Sequence, residues 1–371
     1  MPAPSPTPTC RDSEPMEAEL LRLREQVLIA RRDRTPLRLR GAGTKDFYSA
    51  SNSQSTPCTT VDLRPFSGIL DYEPSELVIT ARCGTPLSQI EAALAERGQF
   101  LGFEPPGFGA DPTLGGIVAA GLSGPRRLSA GAVRDFVLGA ALLAGDGELL
   151  QFGGRVMKNV AGFDVARLLC GSLGIFGIIT QVCIKVLPRP RAEATVQLEM
   201  KAGEAIEAFN RWGSRPLPVS GAAWYDGGAR IRFSGAVPAV EKACTQIGGK
   251  RLDAAAAQRW WDSLRHYTHP LFSSDSLWRL SLPQTAAPLD LSGDPLIDWG
   301  GALRWYAGDQ GERDVRELAQ RAAGTAMRWR GPAATGRFHP LSPAVAEIHR
   351  RLKRAFDPEG IFNPGRLLAD L

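Results

Sequence analysis

The chain has 371 residues, enough to bury a sizeable core and to form two domains. Apolar residues make up 43% and charged residues 22%, the balance of a globular protein in water. The 44 basic and 39 acidic side chains give a formal charge of +5. They are scattered, with no Lys/Arg stripe interleaved with aromatics, which argues against nucleic acid as a partner.

The opening stretch "MPAPSPTPTC" has neither a basic n-region nor an apolar h-region. Residues 1–18 are expected to be a disordered tail. No apolar run reaches bilayer-spanning length, so a cytoplasmic location is expected. From Glu14 to Arg32, Met16, Leu20, Leu23, Val27 and Leu28 keep helical spacing. Strands are expected at 59–63 and 76–82. A helix follows with Thr85 as N-cap, Pro86 at its first position and Leu87, Ile90 and Leu94 on one face. Residues 101–125 are dense in glycine and proline yet mostly apolar, a composition suited to close approach of backbone to a flat or charged partner. Within them Thr113 caps a short helix from Leu114, whose first amides are expected to point outward.

"RDFVLGAALLAGDGELLQFG" reads as two strands joined at Asp146-Gly147. "NVAGFDVARLLCGSLG" reads as a short helix, and "IFGIITQVCIKVLPRP" as a strand closed by prolines. From 191 to 335, strands at 194–199, 220–233, 276–282 and 296–306 and helices at 202–212, 237–247, 252–265 and 312–323 suggest a second α+β domain. The last helix starts at Ser342-Pro343 and runs to about Phe356, with Ile348, Leu352 and Phe356 expected inward. Its "HRRLKRAF" stretch fits either a solvated face or a docking surface for an acidic partner.

Cys10, Cys58, Cys83, Cys170, Cys183 and Cys244 form no CxxC pair, which argues against an iron–sulfur cluster or structural zinc in this chain. The stretch "RLRGAGTKDF" has the look of a phosphate loop. It is no dinucleotide fingerprint, because Asp46 stands where a third glycine and a helix start belong, and no P-loop, because Lys45 follows Thr44. Gly41 and Gly43 permit positive φ, so consecutive N–H groups can converge on an anion. Thr44 and Lys45 add a hydroxyl and a charge.

Five segments in order ("RGAGTK", "PTLGGIVAAGLSG", "DFVLGAALLAGDGELL", "GFDVARLLCGSLGIFGIITQVCIKVLP" and "FDPEGIFNPGRL") resemble the flavoproteins of the vanillyl-alcohol oxidase and p-cresol methylhydroxylase type. The likeness covers roughly residues 20–190 and 340–371 and is greatest to the bacterial glycolate-oxidising branch. It implies an α+β fold. A two-subdomain FAD-binding PCMH-type domain would occupy 19–190, and an α+β substrate, cap or interface domain 191–335. A C-terminal helix and tail at 336–371 would return to the FAD domain with Asn363 and Arg366. The resemblance implies FAD held by Arg40, Gly41, Ala42, Gly43, Thr44 and Lys45, by Pro106, Thr113, Leu114, Gly115, Gly116 and Ala119, by Asn159, Gly162 and Asp164, and by Gly174, Gly177, Ile178 and Ile179. Many relatives bond FAD through a histidine in the first loop. Here every histidine lies at or beyond His266 and no cysteine falls in 101–125, so non-covalent FAD is expected.

Ile117, Gly121 and Leu173 stand where the family has polar residues. The resemblance implies oxidation of a small 2-hydroxy acid such as glycolate. Electrons would pass to a larger FAD-binding subunit of a glycolate oxidase and to an iron–sulfur subunit, with membrane association only through these partners. The alternative is a non-catalytic FAD-carrying subunit whose partner holds the substrate. His266 and His269 are the only close histidine pair, and two lone histidines make a poor metal site, so no metal is expected. No general base is assigned. Arg265, Arg279 and Arg304 are candidate partners for a substrate carboxylate.

Overall fold

The computed structural model describes residues 10–50, 57–109, 111–154, 164–334 and 336–371. Helix α1 (Cys10–Asp33) leads into β1 (Leu37–Arg40), which pairs in parallel with β2 (Thr59–Asp62). The helix begins inside the stretch expected to be a tail, because after Thr9 the Pro/Ser/Thr composition gives way to helix-forming Glu, Met and Ala.

Strands β3 (Ile69–Glu73) and β4 (Val78–Arg82) precede α2 (Leu87–Glu96), β5 (Gln99–Phe100) and the short helices α3 (Leu114–Ala120) and α4 (Arg127–Ala130). Strands β6 (Val137–Leu143) and β7 (Leu149–Gly153) form the expected hairpin through Asp146 and Gly147, the latter at φ 82°. After α5 (Val165–Leu168) comes β8 (Ile178–Lys185), then β9 (Leu187–Pro188), which pairs with β5. The order β3-β4-β8-β6-β7 is antiparallel throughout. Composition sets this order. "VITA", "IITQVCI" and "VLGAALL" bury nearly every side chain and take the centre, while the edges β3 and β7 stay largely open to solvent. Leu87, Ile90 and Leu94 of α2 and Leu114, Ile117 and Val118 of α3 cover one face.

Thr85 does not cap α2. Its hydroxyl accepts the Gly68 N–H at 2.9 Å and donates to Gly68 O, while Asp111 and the Pro112 carbonyl take the first helical amides.

The second half is built on an eight-stranded sheet. Its strands are β10 (Ala192–Glu199), β11 (Val219–Tyr225), β12 (Gly228–Gly235), β13 (Lys250–Arg251), β14 (Leu277–Ser281), β15 (Leu296–Asp298), β16 (Leu303–Ala307) and β17 (Thr325–Arg330), in the order β13-β10-β12-β11-β15-β16-β14-β17. Helices α6 (Ala202–Gly213), α7 (Val237–Ile247), α8 (Ala254–Arg265) and α9 (Glu312–Arg321) accompany it. The single strand expected at 220–233 is a hairpin, because Asp226 and Gly227 both take positive φ, at 48° and 73°. The strand expected at 296–306 is broken by a turn at Trp299–Gly301, where all three residues are left-handed.

Helix α10 (Pro343–Phe356) and the tail complete the chain. The tail crosses back to β1. The Leu37 N–H donates to Ile361 O at 2.7 Å, and the Asn363 N–H to Leu37 O at 2.9 Å. Ile361 and Phe362 pack with Leu23 and Val27 of α1 and with Leu37 and Val61.

Candidate functional site

Where β1 ends, the chain turns through Gly41-Ala42-Gly43-Thr44-Lys45, and Gly43 is at φ 73°. Among the described residues, the N–H groups of Gly41, Ala42, Gly43, Thr44 and Lys45 meet no hydrogen-bond acceptor. The loop spends its carbonyls instead: the Asp46 N–H donates to Gly43 O and the Tyr48 N–H to Lys45 O. A run of unpaired backbone donors is an anion cradle.

The charge around it has the matching sign. Arg40 contacts Asp46 at 3.0 Å, and Arg366 donates to Lys45 O at 3.2 Å. Lys45 is buried, with Thr44 Oγ1 as its hydrogen-bond partner. Burial pushes its ammonium down to about 8. Three cations thus surround the loop against one carboxylate, Asp46. The Arg366 Nε is buried without a partner, a donor left over at the cleft.

These residues line one solvent-filled cleft of about 720 Å³ together with Thr113, Gly115, Gly116, Ala119, Leu173, Gly174, Gly177, Ile179 and Asn363. The glycines are demanded by close approach. A β-carbon on Gly41 would fall 2.2 Å from Thr113 Oγ1, and one on Gly115 would fall 2.8 Å from Cys83 Cβ. The cleft is shaped for a flat, phosphorylated ligand that runs along bare backbone, and these residues fit FAD.

Several expected residues stand elsewhere. Leu114 is in the sheet core, and Ile178 points to the opposite side of its strand, among Leu143 and Phe362. Asp164 caps α5 through the Arg167 N–H, and Pro106 is buried apart from the cleft lining. Asn159 and Gly162 lie outside the described residues. The start of α3 does not offer free amides as expected. The Leu114 N–H donates to Thr85 O, the Gly115 N–H to Cys83 O, and the Gly116 N–H to Thr113 Oγ1 at 3.4 Å. Asn363 fastens the cleft: it accepts from the Leu39 N–H at 2.8 Å and donates to Leu173 O at 2.7 Å.

Beside Lys45 an aromatic chamber joins the two halves. Phe108 stacks on Tyr267 at 4.8 Å, Tyr267 stacks on Trp329 at 5.1 Å, and Phe47 and Tyr48 meet Trp329 from the loop side. Lys45 Nζ sits 5.4 Å from the Phe108 ring centre. Phe108 and Tyr267 each hold φ 56° and Trp299 φ 50°, strained values for non-glycine residues that gather where function needs fixed geometry.

Two guanidiniums flank Trp299, Arg127 at 4.3 Å and Arg279 at 5.4 Å. Neither has a carboxylate within ion-pair distance among the described residues, and the Arg279 Nε is buried without a partner. Burial, then the charge of Arg279, pushes Arg127 down to about 10. The other arginine candidates are spoken for. Arg304 is fully buried and donates to the carbonyls of Gly301, Ala286 and Ala287, while Arg265 pairs with Glu91 and donates to Pro105 O.

His266 and His269 share no helical face, because α8 ends at Arg265. Each ring accepts a nearby N–H, from Gly107 and Leu271 respectively, and burial lowers both below the usual histidine range. Buried Asp298 is the carboxyl nearest in character to a base. Burial pushes it up to about 7, and it caps the turn through the Trp299 N–H at 2.7 Å.

Comparison with known proteins accords with this geometry. The family described as FAD binding domain matches residues 21–153, and that described as FAD linked oxidases, C-terminal domain, matches residues 340–367. Glycolate oxidase subunit GlcE of Escherichia coli (strain K12) is 46% identical over 94% of this chain and 97% of its own length. Glycolate oxidase subunit GlcD of Bacillus subtilis (strain 168) is 29% identical over 46% of this chain and 36% of its own. The solved structure of an alkyldihydroxyacetonephosphate synthase superposes with TM-score 0.65 at 17% identity, covering 93% of this chain and 75% of that one, which speaks for the fold alone. With likeness to one relative from end to end, an FAD binding domain near its start and the FAD-linked oxidase segment near its end, the chain belongs to the PCMH-type FAD-linked oxidoreductases that include glycolate oxidase subunit GlcE.

Proposed function

We propose that this chain is the FAD-binding subunit of a glycolate oxidase complex. It would convert glycolate to glyoxylate, passing electrons to a larger FAD-binding subunit and an iron–sulfur subunit. The observation that carries the reading is the run of unpaired amides from Gly41 to Lys45, ringed by Arg40, Lys45 and Arg366. A diphosphate satisfies those donors and balances that charge. Residues 19–190 are then the FAD-binding domain, 191–335 the cap and 336–371 the returning tail. When bound, FAD supplies the two-electron acceptor for the CH–OH group.

The chain's own residues would do the rest. Arg127 and Arg279 hold the substrate carboxylate over Trp299, and the stacked rings of Phe108, Tyr267 and Trp329 exclude water. FAD would be held non-covalently: the loop itself carries no histidine or cysteine, and Cys83, which lines the cleft, is only 1% exposed. Among the described residues no helix is long and apolar enough to cross a membrane. We place the complex in the cytoplasm, with the inner membrane face reached through the partners.

A second reading is favoured by the histidines. His266, His269, His339 and His349 are each engaged with backbone away from the cleft lining. On that reading the chain carries FAD for electron transfer while its partner binds substrate. Anaerobic glycolate added to the isolated chain separates the two. Bleaching of the flavin absorbance supports a substrate site here, and bleaching only in the assembled complex assigns the site to the partner.

A further inference from the structure

Among the described residues, helix α10 is anchored in its C-terminal half. There Leu352 and Phe356 pack on the sheet core, Phe356 against Phe152 and Phe176, and the buried Lys353 donates to Ile175 O, Phe362 O and Asp357. Its first six residues, Pro-Ala-Val-Ala-Glu-Ile, are mostly apolar, and none of them is buried. Val345 is 40% exposed and Ile348 56%, preceded by Leu341 at 38%. Val345, Ile348, Leu352 and Phe356 follow one another at helical spacing, so a single stripe is covered at its end and bare at its beginning. That spacing predicts Ile348 inward, yet the core stops one turn short of it. A short helix draws its stability from the face it packs, and here that face lacks half its cover.

The surroundings say what fits. The bare stripe borders a cleft shared by Leu341 and Pro343 with the charge-balanced pairs Arg313–Glu317 and Arg316–Glu312 of α9. On its flank Arg350, Arg351 and Arg354 share Glu347, and Arg350 alone reaches a second carboxylate, Asp370. Three guanidiniums against two carboxylates leave this rim positive.

We propose that the bare N-terminal half of α10 is the seat of the larger flavoprotein subunit, which meets it with an apolar surface rimmed by carboxylates. The inference rests on the complex proposed above. The test co-expresses the tagged chain with that larger subunit and measures how much is retained on purification. The Val345→Glu/Ile348→Glu variant is expected to retain roughly tenfold less. Its flavin spectrum and melting temperature should match the parent's. Arg351→Glu/Arg354→Glu should weaken retention in the same direction. Val237→Glu, at a site 52% exposed on α7, should leave it unchanged.

Should the double variant lose its flavin, Ile348→Gln carries the same comparison. Wild-type retention by a folded variant overturns the proposal. So does an isolated chain that is dimeric and dispersed by these substitutions, which gives the face to a second copy. A parent chain that never retains the larger subunit overturns the complex, and this seat with it.

Discussion

Gly41 and Thr113 touch so closely that a β-carbon on the glycine would overlap the threonine hydroxyl at 2.2 Å. Their contact locks the loop after β1 to the start of α3. Gly41→Ala must push Thr113 aside and with it the cap on Gly116. Relieving the overlap means opening the contact by roughly an ångström, which should weaken FAD binding by about tenfold or more, about 1.4 kcal/mol. Fluorescence titration with FAD measures this, and unchanged affinity would contradict it.

Lys45 sets a pH dependence. Its folded-state value is down at about 8, below that of an unfolded lysine near 10.5, because burial disfavours the charge. Below pH 8 both states carry the proton. As pH rises above 8 the folded chain releases it first, so stability of the empty protein rises while the charge offered to a diphosphate is lost. The FAD dissociation constant should therefore climb between pH 7.5 and 9.5. In Lys45→Arg it should stay flat over that range. A flat wild-type curve would count against Lys45 as a phosphate partner.

Arg279 and Arg127 should govern KM. Arg279→Ala removes a charged donor to the substrate carboxylate, worth about 1.5–3 kcal/mol, or roughly ten- to a hundredfold in KM for glycolate. The flavin spectrum should not move. Steady-state kinetics of the complex decide it, and an unchanged KM removes Arg279 from the substrate site.

Lys353 and Asp357 hold the tail. Their contact is 2.6 Å, both are buried, and Asp357 also accepts from the Ile361 and Phe362 N–H groups. Lys353→Met leaves that carboxylate without its cation and should cost about 3–5 kcal/mol in urea unfolding. A loss below 1 kcal/mol would show that the tail is held by its apolar contacts instead.

Much of the cradle was legible because its signal is local. Gly41, Gly43, Thr44 and Lys45 lie within five consecutive residues; Gly43 takes the positive φ that glycine adopts at no steric cost, while Gly41 does not and is needed instead for its close approach to Thr113. The tail was legible for the same reason. The chamber was not, since Phe108, Tyr267 and Trp329 come from three distant segments whose contact depends on the topology of both sheets. The Asp226-Gly227 turn was readable but hidden inside a long apolar run. Periodicity alone also misplaced Ile348, and the resemblance did not foresee that the Ile178 side chain packs away from the cleft. Periodicity tells which residues share a face, and only tertiary packing tells what covers that face.

That the Gly41–Lys45 loop holds FAD without a covalent bond is tested most directly by one measurement: the visible absorption spectrum of the purified chain before and after acid precipitation. A flavin spectrum whose chromophore passes entirely into the supernatant is the predicted result. Chromophore retained in the pellet would contradict the non-covalent site, and a colourless chain that takes up no FAD, alone or with its partner subunits, would contradict the cofactor itself.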